Sequence, residues 1–322
     1  MNKNYSILVI GSVNSTAETI KGLVRNDLKP VGILGYQPSN KQNVSGWRNL
    51  QKLAMQHDIP FKGFKKINDP EYLEWAHTKK PDIIFAVGFS QLLHKKWLDL
   101  PSKGCVGFHP TVLPKGRGRA PLAWLILNQE KKGAATFFLM GEGADDGPIF
   151  VQKEFEINNN DTVRSVADKV LKNIGLALDT WLPDLKKGVW NPKPQNHENA
   201  SWYGKRDPND GIIDWSQSAY DIDRKIRATT RPYPGAFTFL NDEKIIIWSS
   251  HIEEKIDYKG VPGKILIIDD DNGILVQCGT GLLWLEEVSV KWNKFKVGIK
   301  LGYDTQIEIH NIWEELKKLK NE

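Results

Sequence analysis

Along the first 190 residues, short apolar blocks alternate with longer stretches of helical spacing. Ile7–Ile10 is an apolar run of strand length. Thr16–Asn26 behind it repeats apolar residues at intervals of three and four, with Asn14 or Ser15 available as a cap. Val31–Leu34 then reads as strand and Trp47–His57 as helix; Asp82–Val87 and Cys105–His109 read as strands, Pro121–Glu130 as helix and Ala134–Met140 as strand. Thr162–Lys187 closes the series as one long amphipathic helix. Such alternation predicts an α/β fold: an open, mostly parallel sheet that binds ligands beyond the carboxyl ends of its strands.

The pattern then changes. Asn191-Pro192-Lys193-Pro194-Gln195-Asn196 reads as a linker. Beyond it, one helix (Ser218–Arg227) precedes five short strand-like runs, Ala236–Leu240, Lys244–Ser249, Lys264–Ile268, Gly273–Gln277 and Leu282–Val288. Turn residues separate them at short spacing, which predicts a small antiparallel β-barrel. The expected division is a first domain over 1–190, a linker over 191–203 and a second domain over 204–322. In the tail, Ile309, Ile312, Trp313 and Leu316 keep helical spacing, so they are expected to pack on the chain's own surface or on a second copy in a homodimer.

Composition narrows the class. A chain of 322 residues with 40% hydrophobic and 26% charged residues has the size of two soluble globular domains. No apolar run approaches the roughly 20 residues that span a bilayer. Met1-Asn2-Lys3-Asn4-Tyr5 leads directly into the first strand without the apolar block of a signal peptide, so a cytoplasmic location and no membrane partner are expected. Cys105 and Cys278 stand far apart inside apolar stretches and read as small buried thiols; no paired Cys/His spacing suggests a metal site. Charge is uneven: residues 204–322 carry 17 basic and 20 acidic side chains, net −3, whereas the chain as a whole is +5. A basic first domain suits an anionic substrate, and an acidic second one is a poor tracker of a phosphate backbone.

After the first strand, Gly11-Ser12-Val13-Asn14-Ser15 lacks the further glycines of a dinucleotide fingerprint, which argues against a nicotinamide or flavin oxidoreductase. The informative segment runs Gly107-Phe108-His109-Pro110-Thr111-Val112-Leu113-Pro114-Lys115-Gly116-Arg117-Gly118-Arg119-Ala120-Pro121. There a strand ends in a histidine and passes into a loop rich in glycine, proline and arginine, where α/β enzymes keep their chemistry. A second element, Gly143-Ala144-Asp145-Asp146-Gly147, is an acidic turn that proves nothing alone.

Together these segments resemble the 10-formyltetrahydrofolate-dependent formyltransferase family, whose members carry an Asn-x-His strand end, a Leu-Pro-x-x-Arg-Gly loop and a downstream Asp-x-Gly turn. His109 takes the histidine position, Leu113, Pro114, Arg117 and Gly118 the loop, and the interval from His109 selects Asp145 over Asp146. Gly88-Phe89-Ser90-Gln91-Leu92-Leu93 resembles the family's pterin-binding loop, which adds Ser90, Gln91 and Leu93 to the co-substrate site. In the second half, Asp214-Trp215, Arg227-Ala228-Thr229 and Pro232-Tyr233-Pro234-Gly235-Ala236-Phe237 are similar to the family's C-terminal barrel, in the branch acting on nucleotide-linked amino sugars more than in the methionyl-tRNA branch. The resemblance implies a Rossmann-like formyltransferase domain followed by a small β-barrel-like domain.

It also implies a chemistry. A neutral amine attacks a formyl carbon, giving an oxyanion and an ammonium that must lose a proton. A histidine, with an ordinary pKa of about 6.5, can take that proton, and Asp145 would orient the ring and stabilise the imidazolium. The family's oxyanion donor is the Asn two residues before the His. Here that position is Gly107, so a replacement donor is expected, with Ser90, Gln91 and Thr111 as candidates. The implied co-substrate is 10-formyltetrahydrofolate and the implied acceptor a nucleotide-linked amino sugar, with no nucleic acid partner. The alternatives are a methionyl-tRNA formyltransferase and a non-catalytic folate- or nucleotide-binding module. Trp47, Trp190 and Trp202 could stack on a base, although packing is the ordinary use of such residues.

Overall fold

A computed structural model describes residues 3–40, 44–88 and 90–320. Lys41, Gln42 and Asn43, and Phe89 of the pterin-loop match, lie outside the described residues. The chain divides into two compact units, Met1–Arg206 and Asp207–Glu322.

The first unit runs β1 (Ile7–Gly11), α1 (Asn14–Arg25), β2 (Gly32–Tyr36), α2 (Leu50–Gln56), β3 (Phe61–Phe64), α3 (Pro70–Thr78), β4 (Ile83–Val87), α4 (Lys95–Leu98), β5 (Gly104–His109), β6 (Arg117–Gly118), α5 (Pro121–Leu127), β7 (Lys132–Leu139), β8 (Ile149–Glu156), α6 (Val163–Lys186) and β9 (Trp202–Tyr203). Seven strands make one sheet in the order β3-β2-β1-β4-β5-β7-β8. The pairings from β3 to β5 are parallel, and β7 and β8 are added antiparallel, so the mostly parallel sheet expected from the alternation is present. Strand order reverses between β1 and β4, the switch point at which such sheets open a crevice.

Both faces are covered, which is why the inner strands are apolar on both sides rather than alternating. Ile7, Val9, Ile83, Phe85 and Val106 face α1 and α6, where Ile20, Leu178 and Leu182 meet them. Leu8, Ile10, Ile84 and Cys105 face the opposite side with Tyr72, Ala76 and Trp97. The same alternation along β5 places Cys105, Gly107 and His109 together on that second face. Helix α6 starts as its sequence predicts: Thr162 Oγ1 accepts from Ser165 N and Ser165 Oγ accepts from Thr162 N, a reciprocal cap. Helix α1 does not. Its N-cap is Val13, and Thr16 Oγ1 accepts from Ser12 N and Val13 N in place of Asn14 or Ser15.

The stretch read as a linker is instead part of the first unit. Lys193 exchanges backbone hydrogen bonds with Ile149, β9 pairs with β6 in parallel, and Arg119 N donates to Tyr203 O. Its prolines and asparagines mark an irregular path over the surface rather than a free connection.

The second unit holds α7 (Ala219–Thr229), β10 (Ala236–Leu240), β11 (Glu243–Glu253), β12 (Ile265–Asp269), β13 (Gly273–Gln277), β14 (Leu282–Val288) and α8 (Thr305–Lys320). The five strands form one antiparallel sheet in the order β10-β11-β14-β13-β12, over a core with Ile222 and Ile226 of α7. The tail helix α8 leaves Ile309, Ile312, Trp313 and Leu316 exposed, so they do not pack on the chain's own surface as expected.

Candidate active site

The carboxyl ends of β1, β4 and β5 lie side by side, and the residues singled out in the sequence gather on the loops that leave them. At the switch point Ser12 Oγ donates to Gly88 O, and Thr16 Oγ1 donates to Val87 O. A Cβ at Gly11 would sit 2.3 Å from Val87 O, so close packing of these two strand ends requires glycine there.

The loop after β4 is laced to the turn before α3 by two side-chain amides. Gln91 Nε2 donates to Lys65 O (2.6 Å) while its Oε1 accepts from Ile67 N (2.9 Å). Asn68 Nδ2 donates to Leu92 O and its Oδ1 accepts from His94 N. Leu93 is buried in the core, whereas Ser90 and Leu92 are exposed. The side chains of Gln91 and Leu93 therefore hold the loop in place, by two hydrogen bonds and by burial. Among the described residues, the loop presents the Ser90 and Leu92 side chains to solvent.

His109 ends β5 with only 5% of its surface exposed. Its Nε2 lies 2.7 Å from Gly116 O. A carbonyl only accepts, so Nε2 carries a proton in this contact. Nδ1 faces Asp145 Oδ2 at 3.4 Å. The same carboxylate oxygen accepts from Gly118 N at 2.8 Å. Asp145 has φ +52°, a left-handed conformation that aspartate tolerates better than most residues. The ring thus stands between the Gly116 carbonyl on one nitrogen and the Asp145 carboxylate on the other.

Most of the loop from Thr111 to Gly118 is fixed. Thr111 Oγ1 donates to Lys115 O (2.7 Å), and Thr136 Oγ1 donates to Thr111 O. Gln152 Nε2 donates to Leu113 O, and Leu113 itself is buried next to the half-buried Pro114. Arg117 is not open to a co-substrate: it is 3% exposed and donates through Nε and Nη2 to Gln195 Oε1 and through Nη2 to His197 Nδ1. Gly116 and Gly118 have φ of +68° and +105°, and a Cβ on either would meet Tyr203 at 2.5 Å. Sequence reasoning missed Asn68, Gln152 and Gln195, because a single amide side chain carries no pattern that says what it will bind.

At Gly107, a Cβ would meet Phe138 Cζ at 2.7 Å and Met140 Cγ at 2.9 Å. Phe138 is the cross-strand neighbour of Gly107, as Thr136 is of His109. The ring of Phe138 thus fills the space a side chain at 107 would need. Of the three candidates for a replacement donor, Thr111 donates to Lys115 O, Gln91 bonds at both ends of its amide, and Ser90 is exposed.

Tyr203, against the glycine loop, has its phenol pushed up to about 12 by burial and by the nearby Glu130 carboxylate. It is a packing residue at neutral pH. Among the described residues no group of three or more His, Cys, Asp or Glu side chains is placed to hold a metal ion, and no helix is long and apolar enough to cross a membrane.

Residues 3–178 match the family described as formyl transferase, and residues 205–296 match its C-terminal domain. This chain belongs to the formyl transferase family. The formyltransferase is 34% identical over 256 residues to the bifunctional polymyxin resistance protein ArnA of Wigglesworthia glossinidia brevipalpis, covering 80% of this chain and 38% of that much longer relative. It is 30% identical to the methionyl-tRNA formyltransferase of Alkaliphilus oremlandii, covering 91% of this chain and 94% of the relative. Two solved structures share its fold. One is HypX from Aquifex aeolicus in complex with tetrahydrofolic acid (18% identity, TM-score 0.65, 89% of this chain and 44% of that one). The other is the N-formyltransferase from Helicobacter canadensis in complex with folinic acid and dTDP-3-aminofucose (18% identity, TM-score 0.65, 88% and 99%).

Proposed function

We propose that this formyltransferase moves a formyl group from 10-formyltetrahydrofolate to the amine of a nucleotide-linked amino sugar, with His109 and Asp145 handling the amine's proton. The observation that carries this reading is the pairing of His109 Nδ1 with Asp145 Oδ2 at 3.4 Å, at the end of β5. An amine entering beside this pair finds the Asp145 carboxylate as its acceptor, with Nδ1 of the ring behind that carboxylate to take the proton on. Proton uptake at Nδ1 creates an imidazolium whose two N–H groups then point at Gly116 O and Asp145 Oδ2, both already in place. Stabilising charge where it develops, with groups that need not reorganise, is the effective form of such catalysis.

The folate supplies the electrophilic formyl carbon. The backbone of Gly88 and of residues 90–93, with the Ser90 hydroxyl, would hold it, together with Pro114 and Gly118. The exposure of Ser90 and Leu92, on a loop whose base is pinned by Gln91 and Asn68, fits a stable edge that stays open to a ligand.

The acceptor class is supported by fold likeness to an N-formyltransferase crystallised with a dTDP-linked amino sugar and by the net −3 of residues 204–322. Near-complete coverage of a methionyl-tRNA formyltransferase makes methionyl-tRNA the second reading. The deciding experiment incubates the protein with 10-formyltetrahydrofolate and either a panel of nucleotide-linked amino sugars or methionyl-tRNA, following release of tetrahydrofolate. Transfer to a nucleotide-linked amino sugar is expected. Efficient formylation of methionyl-tRNA, with the steep salt dependence of phosphate-backbone contacts, would overturn the sugar reading.

A further inference from the structure

The Gln195 side chain, in the segment whose sequence reads as a linker, forms four hydrogen bonds with one amide. Nε2 donates to Asp145 O (2.9 Å) and Gly147 O (2.7 Å), and Oε1 accepts from Arg117 Nη2 (2.7 Å) and Nε (3.3 Å). Its orientation is fixed by chemistry. A guanidinium only donates and a carbonyl only accepts, so the reversed amide would face donor with donor and acceptor with acceptor. Gln195 is 6% exposed and Arg117 3%.

These contacts close a circuit around the site. Arg117 holds Gln195, Gln195 holds the main chain of Asp145 on both sides of its turn, and the Asp145 carboxylate accepts from the N–H of Gly118, the residue after Arg117. The residue before Arg117, Gly116, is the one whose carbonyl holds His109. The guanidinium is buried against the neutral acceptors Gln195 and His197 and beside the ring of Trp202. Burying a charge on neutral partners is costly unless the geometry is well satisfied. Asp145 also keeps a left-handed backbone that its surroundings must enforce.

We infer that Gln195 is a positioning residue for formyl transfer: it transmits the fixed position of buried Arg117 to the Asp145–Gly147 turn and so sets the carboxylate opposite His109. The inference rests on the roles proposed above for His109 and Asp145. It assigns to residues 191–203 a part in the site's geometry that neither Gln195 nor Arg117 plays by touching substrate.

Two variants test it. Gln195→Glu keeps the volume and the contact with Arg117 but has no N–H for the two carbonyls; Gln195→Ala removes both ends. Each is expected to lower kcat by about 10- to 100-fold, the effect of a small misplacement at a reacting centre, with little change in KM for the folate. A loss below tenfold in a folded variant overturns the inference. In an Asp145→Ala background, adding Gln195→Glu should change kcat by less than about threefold, since the two act as one unit; a fully additive loss would place the action of Gln195 elsewhere and also overturn it. If the wild-type protein transfers formyl to no acceptor, the proposed function fails, and the inference is then judged on the His109 ring nitrogen signals by NMR. Gln195→Glu should move them toward those of Asp145→Ala; unmoved signals reject it.

Discussion

Gly116 O lies 2.7 Å from His109 Nε2, and this contact leaves Nδ1 as the ring nitrogen that faces Asp145 Oδ2, at 3.4 Å.

Replacing either member of this pair should stop the chemistry without unfolding the protein. His109→Asn removes Nδ1, and Asp145→Asn can turn an N–H onto Nδ1 and block it. Turnover is expected to fall about 100-fold or more, within the range of general-base contributions. Steady-state rates and circular dichroism on the same samples check this; near-normal turnover in either variant would remove the pair from the mechanism.

Gly107→Asn should not improve the enzyme. Its side chain has to displace the Phe138 ring and Met140, which a Cβ alone would already meet at 2.7 and 2.9 Å. Overpacking of this kind costs about 1–3 kcal/mol, to be seen as a lower urea midpoint with no gain in rate. A tenfold rise in turnover would mean that the donor is missing from this site rather than replaced.

Gly118→Ala should damage both stability and rate. The residue has φ +105°, and its Cβ would lie 2.5 Å from Tyr203 O, a backbone atom that cannot swing aside. Strain of about 1–3 kcal/mol is expected, together with displacement of the N–H that holds Asp145. Gly204→Ala, where nothing lies within 4 Å of the new Cβ, is the matched control. Equal Tm values for the two variants would contradict this account.

Both thiols should be silent in the native protein. Burial, with the Asp99 carboxylate adding to it at Cys105, pushes Cys105 and Cys278 from about 9 up to about 12. Thiol reagents near neutral pH should therefore label them only after unfolding. Because the unfolded thiols ionise near pH 9 while the folded ones keep their protons, the folded state binds more protons above that pH. Stability should be full below about pH 9 and fall as the pH rises toward 12. Urea midpoints measured across this window should lose part of that slope when both cysteines are changed to alanine; an unchanged slope would refute the assignment.

Much of the architecture is legible in the sequence because apolar spacing is a local property. The blocks at Ile7–Gly11, Ile83–Val87 and Gly104–His109 are strands since each must be apolar on both faces, and Val163–Lys186 is a helix since one stripe is apolar and Thr162 can cap it. Strand β3 and helix α3 escape notice for the same reason. Phe61-Lys62-Gly63-Phe64 is short and half polar, and α3 buries only Tyr72 and Ala76.

Residue type and spacing along the chain carry the fold class, and they single out a strand-end histidine and a distant acidic turn as candidates, because both are local properties. What each side chain is used for is settled in the folded chain. Arg117 and Gln91 look like ligand contacts and are internal ties, Gln195 looks like linker and closes the circuit behind Asp145, and Phe138 occupies the space beside Gly107. These outcomes depend on which donor meets which acceptor across 24 to 78 residues of chain. Hydrogen bonding is short-ranged and directional, so it is settled only when folding brings those atoms within about 3 Å of one another.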